Sequence, residues 1–547
     1  MTAIYQLCSD YIDQWAALDP VSATTGGVAG KLGTATDYSP DGYAARAQLI
    51  DSTLGRLATL EETGPADRRA AAYLRERLET LRAWHTAGEA YRDLSAPLGR
   101  LHTLDTSMQL MPRSTSEDWR AIVERLNAVP KMLQGWRTTL QYGLDQGLAA
   151  ARRQALEAAA QAENFVATQV HEDLITAHGD GELAAELRRA VEQARQGYAE
   201  TARYLRQDYA PRAVEADGVG AERYAVATRM FLGADIDPYE AYAWGWAELE
   251  RIEAEMVAEA QRIRPGATVA EATALLDATE YVESAEAYHA WLRSWHDWAI
   301  RSLDGTHFDI AEPLRRVEVA LVPGSSSGAA YYTPPSEDLS RPARTWWPVG
   351  DEQQRFTTWN ELSTVFHEGV PGHHLQLGAN RAQAEQLSRF QRLTQVSGHA
   401  EGWALYSERL ADELGWFAEP GTRLGMLGEA ALRAARVVID IGVHLDLLRD
   451  DGQRWTFDNA REFLQTRGRE PQHRAHPEVV RYFGWPGQAI SYKLGERAWL
   501  AARDEARSQP GFDLKSWHTA ALDLGPLGLD TLRSELRRSA NPDVATE

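Results

Sequence analysis

The residue types that can do metal chemistry gather in one segment, TVFHEGVPGHHLQ (364–376). It contains a histidine-glutamate pair, His367-Glu368, followed by two further histidines. Two imidazoles that bind zinc from one helix normally lie four residues apart, with a glutamate between them as general base. The fourth residue after His367 is Pro371, which cannot bind a metal. The segment therefore predicts zinc chemistry on the condition that the helix breaks.

The break is favoured by the residues that follow Glu368. Pro371 lacks a backbone N–H and clashes with the carbonyl four residues earlier, and Gly372 permits unusual dihedral angles. Nitrogens bound to one zinc lie within about 4 Å of each other, whereas residues six apart on a straight helix are separated by about 9 Å along its axis. We therefore expect the chain to turn back. His373 is assigned as the second ligand, and His374 is kept as the alternative.

A third ligand is expected from a later segment, SGHAEGWALYSE (397–408). A catalytic zinc usually has three protein ligands and one open position. Glu401 fits the third place if its helix packs against the first one, and His399 or Glu408 would then hold a ligand by hydrogen bonding. The alternative is that Glu401 and Glu408 belong to one solvated helix face.

An apolar stretch, RAARVVIDIGVH (433–444), carries Arg436, Asp440 and His444. These polar residues are spaced four apart, so a helix would present them on roughly one face. They are candidates for contacts with substrate. The alternative is a buried ion pair that braces the core.

The segment YFGWPGQAISYKLG (482–495) has a Pro-Gly turn followed by Gln488, Tyr492 and Lys493. The Tyr492 hydroxyl is predicted to donate a hydrogen bond to a developing oxyanion, with His444 or His399 as a helper. A cation that anchors a substrate carboxylate would favour a carboxypeptidase or dipeptidase. Three side chains are candidates for that anchor: Arg436, Arg481 and Lys493.

The elements that must position these residues are mainly helical. Alanine, leucine, glutamate and arginine dominate residues 147–170 and 182–209, and this composition predicts helices there. Asp237 followed by Pro238 is typical of an N-cap and a first helical residue, and predicts a helix to about Ile263.

A different pattern, VEVALVPGSSSGAAYYT (317–333), predicts a β-hairpin or two strands around a loop. Residues 345–347 are expected to add a short strand, and helical patterning returns at about residue 359. The fold class is therefore mainly α with a small β element beside the site. We expect an N-terminal helical part over residues 1–315 that forms one wall of a cleft. Residues 316–547 would form the catalytic part, and the two parts are expected to form one continuous structural unit.

The composition of the 547 residues is that of a globular protein, with 44% hydrophobic and 25% charged residues. A net charge of -22 argues against nucleic acid or an anionic membrane as partner. Cys8 is the only cysteine, which excludes an intramolecular disulfide and a thiolate zinc site. The first residues lack a signal-peptide pattern, and a cytoplasmic location is expected. The oligomeric state stays open, with a homodimer as one alternative.

Four segments together resemble the bacterial family of domain of unknown function 885: HEGVPGHHLQ (367–376), GHAEGWALY (398–406), RVVIDIGVH (436–444) and PGQAISYKLG (486–495). With weaker similarity near the N-terminus, the resemblance covers nearly the whole chain. It implies a large helical, cleft-containing fold similar to the thimet-oligopeptidase-like and Taq-carboxypeptidase-like gluzincins, and one bound Zn²⁺.

The resemblance also implies roles for individual residues. It marks His367, Glu368, His373 and Glu401 as the core of the site, with Tyr492 as a helper. An edge strand over residues 328–333, which includes Tyr331 and Tyr332, would pair with the substrate backbone. The departure from those peptidases is the interrupted motif, since their two histidines are separated by three residues and here two more are inserted.

These observations predict a zinc-dependent hydrolase that cleaves the peptide (amide) bonds of small peptides. Zinc would activate a water molecule, and Glu368 as general base would take the water's proton and pass it to the leaving amine. One alternative is a zinc amidohydrolase that acts on a specialised small-molecule amide. The other is a non-catalytic helical metal-binding or scaffold protein.

Overall fold

The computed structural model describes residues 2–28, 32–323, 328–350 and 353–540. The chain divides into two compact units. Unit 1 consists of Met1–Val226, Ser388–Leu393 and Pro477–Trp485, and unit 2 consists of Ala227–Leu387, Thr394–His476 and Pro486–Glu547. The boundary predicted between residues 315 and 316 lies inside unit 2. No helix among the described residues has both the length and the apolarity needed to cross a membrane.

The first half of the chain is helical. Its α-helices are α1 (Ala3–Leu18), α2 (Pro20–Thr25), α3 (Pro40–Leu57), α4 (Pro65–Thr86), α5 (Arg100–Gln109), α6 (Ser116–Asp145), α7 (Arg152–Ala167), α8 (Glu172–His178), α9 (Ala184–Tyr204), α10 (Ala221–Leu232), α11 (Pro238–Ile263), α12 (Val269–Thr279) and α13 (Ala285–Leu303).

The second half adds further helices and most of the strands. The strands are β1 (Tyr281–Glu283), β2 (Glu318–Pro323), β3 (Tyr331–Thr333), β4 (Arg344–Val349) and β5 (Arg355–Thr357). The helices are α14 (Glu361–Glu368), α15 (His373–Ala382), α16 (Arg389–Leu393), α17 (Ser397–Glu413), α18 (Thr422–His444), α19 (Phe457–Thr466), α20 (Gln472–Gly484), α21 (Ser491–Arg507), α22 (Leu514–Asp523) and α23 (Leu529–Ala540). The protein is therefore mainly helical with small sheets.

In unit 1 the long helix α6 packs on α9, α7 also packs on α9, and α3 packs on α1 and α4. A capping box begins α6, because the Thr115 hydroxyl accepts from the Asp118 N–H and the Asp118 carboxylate accepts from the Thr115 N–H. Both stretches predicted to be helical from their composition contain helices, α7 and α9. Buried apolar side chains of these helices fill the interior of unit 1.

In unit 2, α11 packs along α18, and α17 packs along α21. Helix α11 begins as predicted: the Asp237 carboxylate accepts from the backbone N–H groups of Tyr239 and Glu240, and Pro238 is the first helical residue. The helix ends at Ile263, also as predicted. Helix α18 is buried along most of its length, so it forms the centre of this unit.

Of the two alternatives predicted for residues 317–333, the structure contains two separate strands, β2 and β3, and the β-hairpin is wrong. Strands β2 and β3 do not pair with each other: β2 is parallel to β4, β3 is antiparallel to β4, and the order is β2-β4-β3. Alternation of apolar residues identifies a strand but carries no information about its partner. The strand predicted at residues 345–347 is the central one, β4. Residues 324–327 of the predicted loop lie outside the described residues.

Helices α17 and α21 approach each other through glycines. A Cβ atom added at Gly402 would overlap the backbone of Gly495, and one added at Gly495 would overlap the backbone carbonyl of Gly398. Backbone atoms cannot rotate away as a flexible side chain can. These glycines therefore set the helix separation, and with it the position of the carboxylate of Glu401, one residue before Gly402.

We expect Gly402→Ala to lower the free energy of unfolding by about 1–3 kcal/mol, the usual cost of forcing extra atoms into a packed interior. Urea unfolding followed by circular dichroism measures this. The matched control is Gly428→Ala in α18, where an added Cβ meets nothing within 4 Å and alanine should gain up to about 1 kcal/mol from helix propensity. Equal effects of the two substitutions would contradict the close-packing argument.

Candidate metal centre

The predicted helix break is confirmed. Helix α14 ends at Glu368 and α15 begins at His373. The connection is tight, because a Cβ at Gly372 would overlap the carbonyl oxygen of His367. It is also tied to α17, where the Trp403 indole N–H donates to the Pro371 carbonyl at 2.8 Å. The chain thus turns so that α15 packs back against α14. The turn lies beside the part of α17 that contains Glu401.

This turn brings three side chains together. The Nε2 atoms of His367 and His373 each lie 3.4 Å from Oε2 of Glu401. The two imidazole rings are 4.8 Å apart and nearly perpendicular, at 84°. One ligand atom from each of the three residues lies within 4.8 Å of the others. The structure therefore brings together the three residues that the sequence predicted as metal ligands: His367, His373 and Glu401.

His374, the alternative ligand, has a different environment. Its side chain is fully buried, its Nε2 lies 2.9 Å from the Leu314 carbonyl, and its Nδ1 lies 3.2 Å from the Tyr332 hydroxyl. A carbonyl oxygen can only accept, so Nε2 carries the proton and the tyrosine donates to Nδ1. Burial lowers the pKa of His374 to about 4. Both of its ring nitrogens are engaged away from Glu401, so the geometry favours His373.

Glu408 supports the first ligand. Its Oε1 lies 2.8 Å from Nδ1 of His367, and the Ser363 hydroxyl donates to its other oxygen. A proton on Nδ1 leaves the lone pair on Nε2, which is the atom that faces Glu401. His399, the other candidate for this role, instead lies 3.2 Å from the Gln376 amide through its Nδ1.

We expect Glu408→Gln to weaken zinc binding 10- to 100-fold, the usual effect of removing a carboxylate that orients a histidine ligand. Competition for zinc against a chromophoric chelator measures the affinity. The control is Glu413→Gln on the same helix, about 18 Å along its axis from Glu401, where the carboxylate pairs with Arg503. An unchanged affinity in Glu408→Gln would show that this hydrogen bond does not support the ligand.

Glu368 lies beside the ligand cluster and is 94% buried, with a relative exposure of 6%. Its Oε2 has no hydrogen-bond partner among the described residues. Burial raises the pKa of Glu368, and the negative charge of Glu401 acts in the same direction. The side chain borders a cleft of about 550 Å³ within unit 2, a size typical of small-ligand sites. Glu368 therefore combines a position at the cleft wall with one carboxylate oxygen that has no hydrogen-bond partner among the described residues.

The charges of the cluster suit a cation. Burial alone would raise the pKa of Glu401, but the two neighbouring imidazoles outweigh it and hold the pKa well below the usual range. Burial would lower the pKa of His367, but the carboxylates of Glu401 and Glu408 outweigh it and raise the pKa to about 9. The Glu401 Oε2 atom is buried without a hydrogen-bond partner among the described residues. Two histidines and one glutamate are a ligand set of catalytic zinc, and the residues present fit it.

Of the three polar residues predicted on α18, Arg436 borders the cleft. The Arg436 guanidinium stacks on the Tyr492 ring at 4.7 Å. The Asp440 carboxylate accepts from the Gly487 N–H at 2.9 Å, so it fixes the Pro-Gly turn that precedes α21. His444 and Gln488 are buried.

Other predicted contacts with substrate are distributed more widely. Lys493 is 2% exposed on its side chain and forms ion pairs with Glu248 and Glu496. Arg481 belongs to unit 1, where it pairs with Glu478 at 2.8 Å. Tyr331 stacks on Trp346, with ring centroids 5.8 Å apart.

The sequence reasoning missed several residues that border the cleft. They include three arginines in the region from α18 to α20: Arg433, Arg469 and Arg474. A signal for the arginines was available in α18, since Arg433 precedes Arg436 by less than one helical turn. No local pattern distinguishes Arg469 from an ordinary surface arginine.

A family model described as "Bacterial protein of unknown function (DUF885)" matches residues 20–536. The chain belongs to this family. The resemblance noted from the four segments is thereby confirmed for DUF885. No curated protein matches the sequence significantly.

Two solved structures resemble this DUF885 protein over nearly its whole length. One is described as the "putative lipoprotein from Colwellia psychrerythraea", with a TM-score of 0.84 and 21% identity, covering 99% of this chain and 100% of that one. The other is a "putative lipoprotein of unknown function from Shewanella oneidensis", with a TM-score of 0.73 and 16% identity, covering 98% and 99%. At these identities the similarity shows a shared fold.

Proposed function

We propose that this DUF885 protein is a zinc-dependent hydrolase of peptide bonds in small peptides. The observation that carries the proposal is the convergence of His367, His373 and Glu401 on one point beside Glu368. When bound there, zinc would supply Lewis-acid chemistry and lower the pKa of a water molecule. The three ligands come from three helices, and Glu408 fixes the ring of His367 through its Nδ1 atom.

Glu368 is the general base in this proposal. It is adjacent in sequence to a ligand, borders the cleft, and has an oxygen without a hydrogen-bond partner among the described residues. It takes the proton of water as the water oxygen attacks the carbonyl carbon, and it then delivers that proton to the leaving nitrogen. Its burial keeps the carboxylate away from bulk solvent, so the proton stays within the site.

The small sheet supports a peptide as substrate. In the order β2-β4-β3, strand β3 lies at an edge of the described sheet, and Ala329 and Ala330 just before it border the same cleft as Glu368. An extended peptide can add to such an edge by main-chain hydrogen bonds. We include in the proposal a gluzincin-like fold, in which the Tyr331–Thr333 strand aligns the substrate backbone.

An oxyanion donor is still needed, and Tyr492 is proposed for it. Its ring is held against the Arg436 guanidinium, and Arg436 borders the cleft. A hydroxyl that donates to the developing negative charge in a water-poor site contributes strongly to catalysis.

The experiment is to load the protein with zinc and measure hydrolysis of a library of short peptides and N-acyl amino acids by mass spectrometry. We expect one zinc per chain, amide cleavage, loss of cleavage with a chelator and recovery with added zinc. Cleavage of N-acyl amino acids alone would instead indicate the specialised amidohydrolase. Stoichiometric zinc without hydrolysis of any amide would contradict the proposal and indicate a structural metal.

The cytoplasmic location predicted from the sequence stays a prediction. The two structural neighbours carry the description lipoprotein, and that description belongs to them. The proposed chemistry is the same in either location, since it depends on the ligand cluster and the cleft alone.

A further inference from the structure

The cleft that Glu368 borders carries a group of cationic side chains, although the whole chain has a net charge of -22. Four arginines line it: Arg433, Arg436, Arg469 and Arg474. Three of them have contacts that account for their positions. Arg433 and Arg474 form ion pairs with Glu429 and Glu470, and Arg436 stacks over the Tyr492 ring at 4.7 Å.

Arg469 differs from the other three. It is exposed and forms neither an ion pair nor a hydrogen bond with any residue that the structure describes. Its φ of +58° lies in the left-handed region, which is unfavourable for a residue with a long side chain and common for glycine or asparagine. The backbone around it is fixed, because the Glu470 N–H donates to the Leu464 carbonyl at 3.0 Å. Glycine or asparagine at this position would be better for the stability of the fold. The presence of an arginine therefore suggests a role in binding.

We propose that Arg469 binds the C-terminal carboxylate of the peptide substrate, so that the enzyme acts as a carboxypeptidase. This inference rests on the proposed function. An anion approaching a protein of charge -22 meets a repulsive field, and it needs a local cation to bind. A guanidinium can bind a carboxylate through two parallel hydrogen bonds. The cleft of about 550 Å³ limits the segment between the anchor and Glu368 to a few residues.

The reaction is hydrolysis at a fixed distance from the free carboxylate. The C–N bond breaks, the hydroxyl of water adds to the acyl carbon, and the nitrogen of the released fragment gains a proton. Neither oxidant nor reductant is required. Anchoring the carboxylate selects which peptide bond lies beside Glu368, and this makes the cleavage position independent of the total peptide length.

Two anchors considered from the sequence are less suited to this role. Lys493 is 2% exposed and already lies between Glu248 and Glu496. Arg481 belongs to unit 1, where its guanidinium pairs with Glu478. Arg469 offers an exposed cation on the cleft itself.

The test uses the zinc-loaded Glu368→Gln variant, so that binding is measured without turnover. The probes are N-acetylated tetrapeptides, randomised at the last two positions, prepared as free acids and as C-terminal amides. We expect the acids to bind about 10- to 100-fold more tightly, the effect of a hydrogen-bonded charge pair. Adding Arg469→Asn should abolish this preference, because asparagine accepts the left-handed backbone but has no charge. Arg469→Lys should keep part of it.

The matched control is Arg301→Gln, which removes an exposed arginine of α13 that does not border the cleft. It should leave the preference for free acids unchanged. Equal binding of acids and amides, or a preference that survives Arg469→Asn, would overturn the assignment of Arg469.

The two proposals fail in different ways. If the zinc-loaded protein with native Glu368 cleaves acids and amides at equal rates, the hydrolase stands and the carboxylate anchor is wrong. If free acids bind through Arg469 but no peptide is cleaved, the anchor stands and the hydrolase is wrong. If both are right, mass spectrometry should show products shortened by the same number of residues from peptides of different lengths.

Discussion

Replacing Glu368 with glutamine is expected to lower kcat for peptide hydrolysis by about 10²- to 10⁴-fold, the usual contribution of a general base. Glutamine has nearly the same shape as glutamate but cannot accept a proton from water. The loss should appear in kcat and in kcat/KM together, because the proton transfer stabilises the transition state and contributes little to substrate binding.

The zinc content of Glu368→Gln should stay at that of the native protein, because the ligand cluster consists of His367, His373 and Glu401. This separates the expected result from simple loss of the metal. Glu413→Gln in α17 serves as the control, since it removes a carboxylate that pairs with Arg503 at the far end of the helix. It should retain native kcat.

Two results would count against Glu368 as the base. Turnover within a few-fold of the native rate would mean that another group accepts the proton. Loss of zinc together with loss of turnover would mean that Glu368 contributes to binding the metal. Metal analysis and steady-state kinetics on the same preparation distinguish these cases.

The helix break was predictable because its causes are local. Pro371 removes a donor from the helix, and Gly372 follows it where the chain must fold back close to the His367 carbonyl. The need for a third, non-histidine ligand pointed to the α17 segment. These arguments require only the residues themselves and the geometry of zinc.

The choice between Glu408 and His399 was also available from helix geometry. Glu408 follows Glu401 by seven residues, close to two full turns, so both side chains lie on one face of α17. His399 precedes Glu401 by two residues and lies on nearly the opposite side. The structure follows this rule, with Glu408 against His367 and His399 against Gln376.

Other features depend on contacts between distant segments. The pattern of residues 317–333 predicts strands, but β4 lies between them because of residues more than ten positions further on. The place of Arg469 beside the cleft depends on how α19 packs against α18. A local sequence pattern carries no information about either of these long-range contacts.

His373→Gln should weaken zinc binding by more than about 100-fold, because loss of a ligand costs more than the 10- to 100-fold typical of a ligand's hydrogen-bond partner. His374→Gln should keep the affinity within a few-fold. Its glutamine amide can still donate to the Leu314 carbonyl in place of the imidazole N–H. The adjacent pair is a matched comparison, since both histidines are buried and both are in the first turn of α15.

The difference should also appear in thermal unfolding. A ligand that binds only the folded state raises the midpoint in proportion to the logarithm of its concentration over its Kd. Added zinc should therefore raise the midpoint of the native protein and of His374→Gln, and have little effect on His373→Gln. The His374 variant should start from a lower midpoint without zinc, because it changes a buried side chain that contacts the Tyr332 hydroxyl.

In the opposite pattern, zinc would be lost from His374→Gln and kept by His373→Gln. This result would show that His374 is the second ligand and that the assignment of His373 is wrong. It would also require α15 to rotate, because both ring nitrogens of His374 now face Leu314 and Tyr332. The two 3.4 Å contacts at Glu401 would then describe an ion-paired cluster instead of a metal centre. Glu368 would then no longer have the proposed zinc site beside it to help activate water. The proposed hydrolysis therefore depends directly on this comparison.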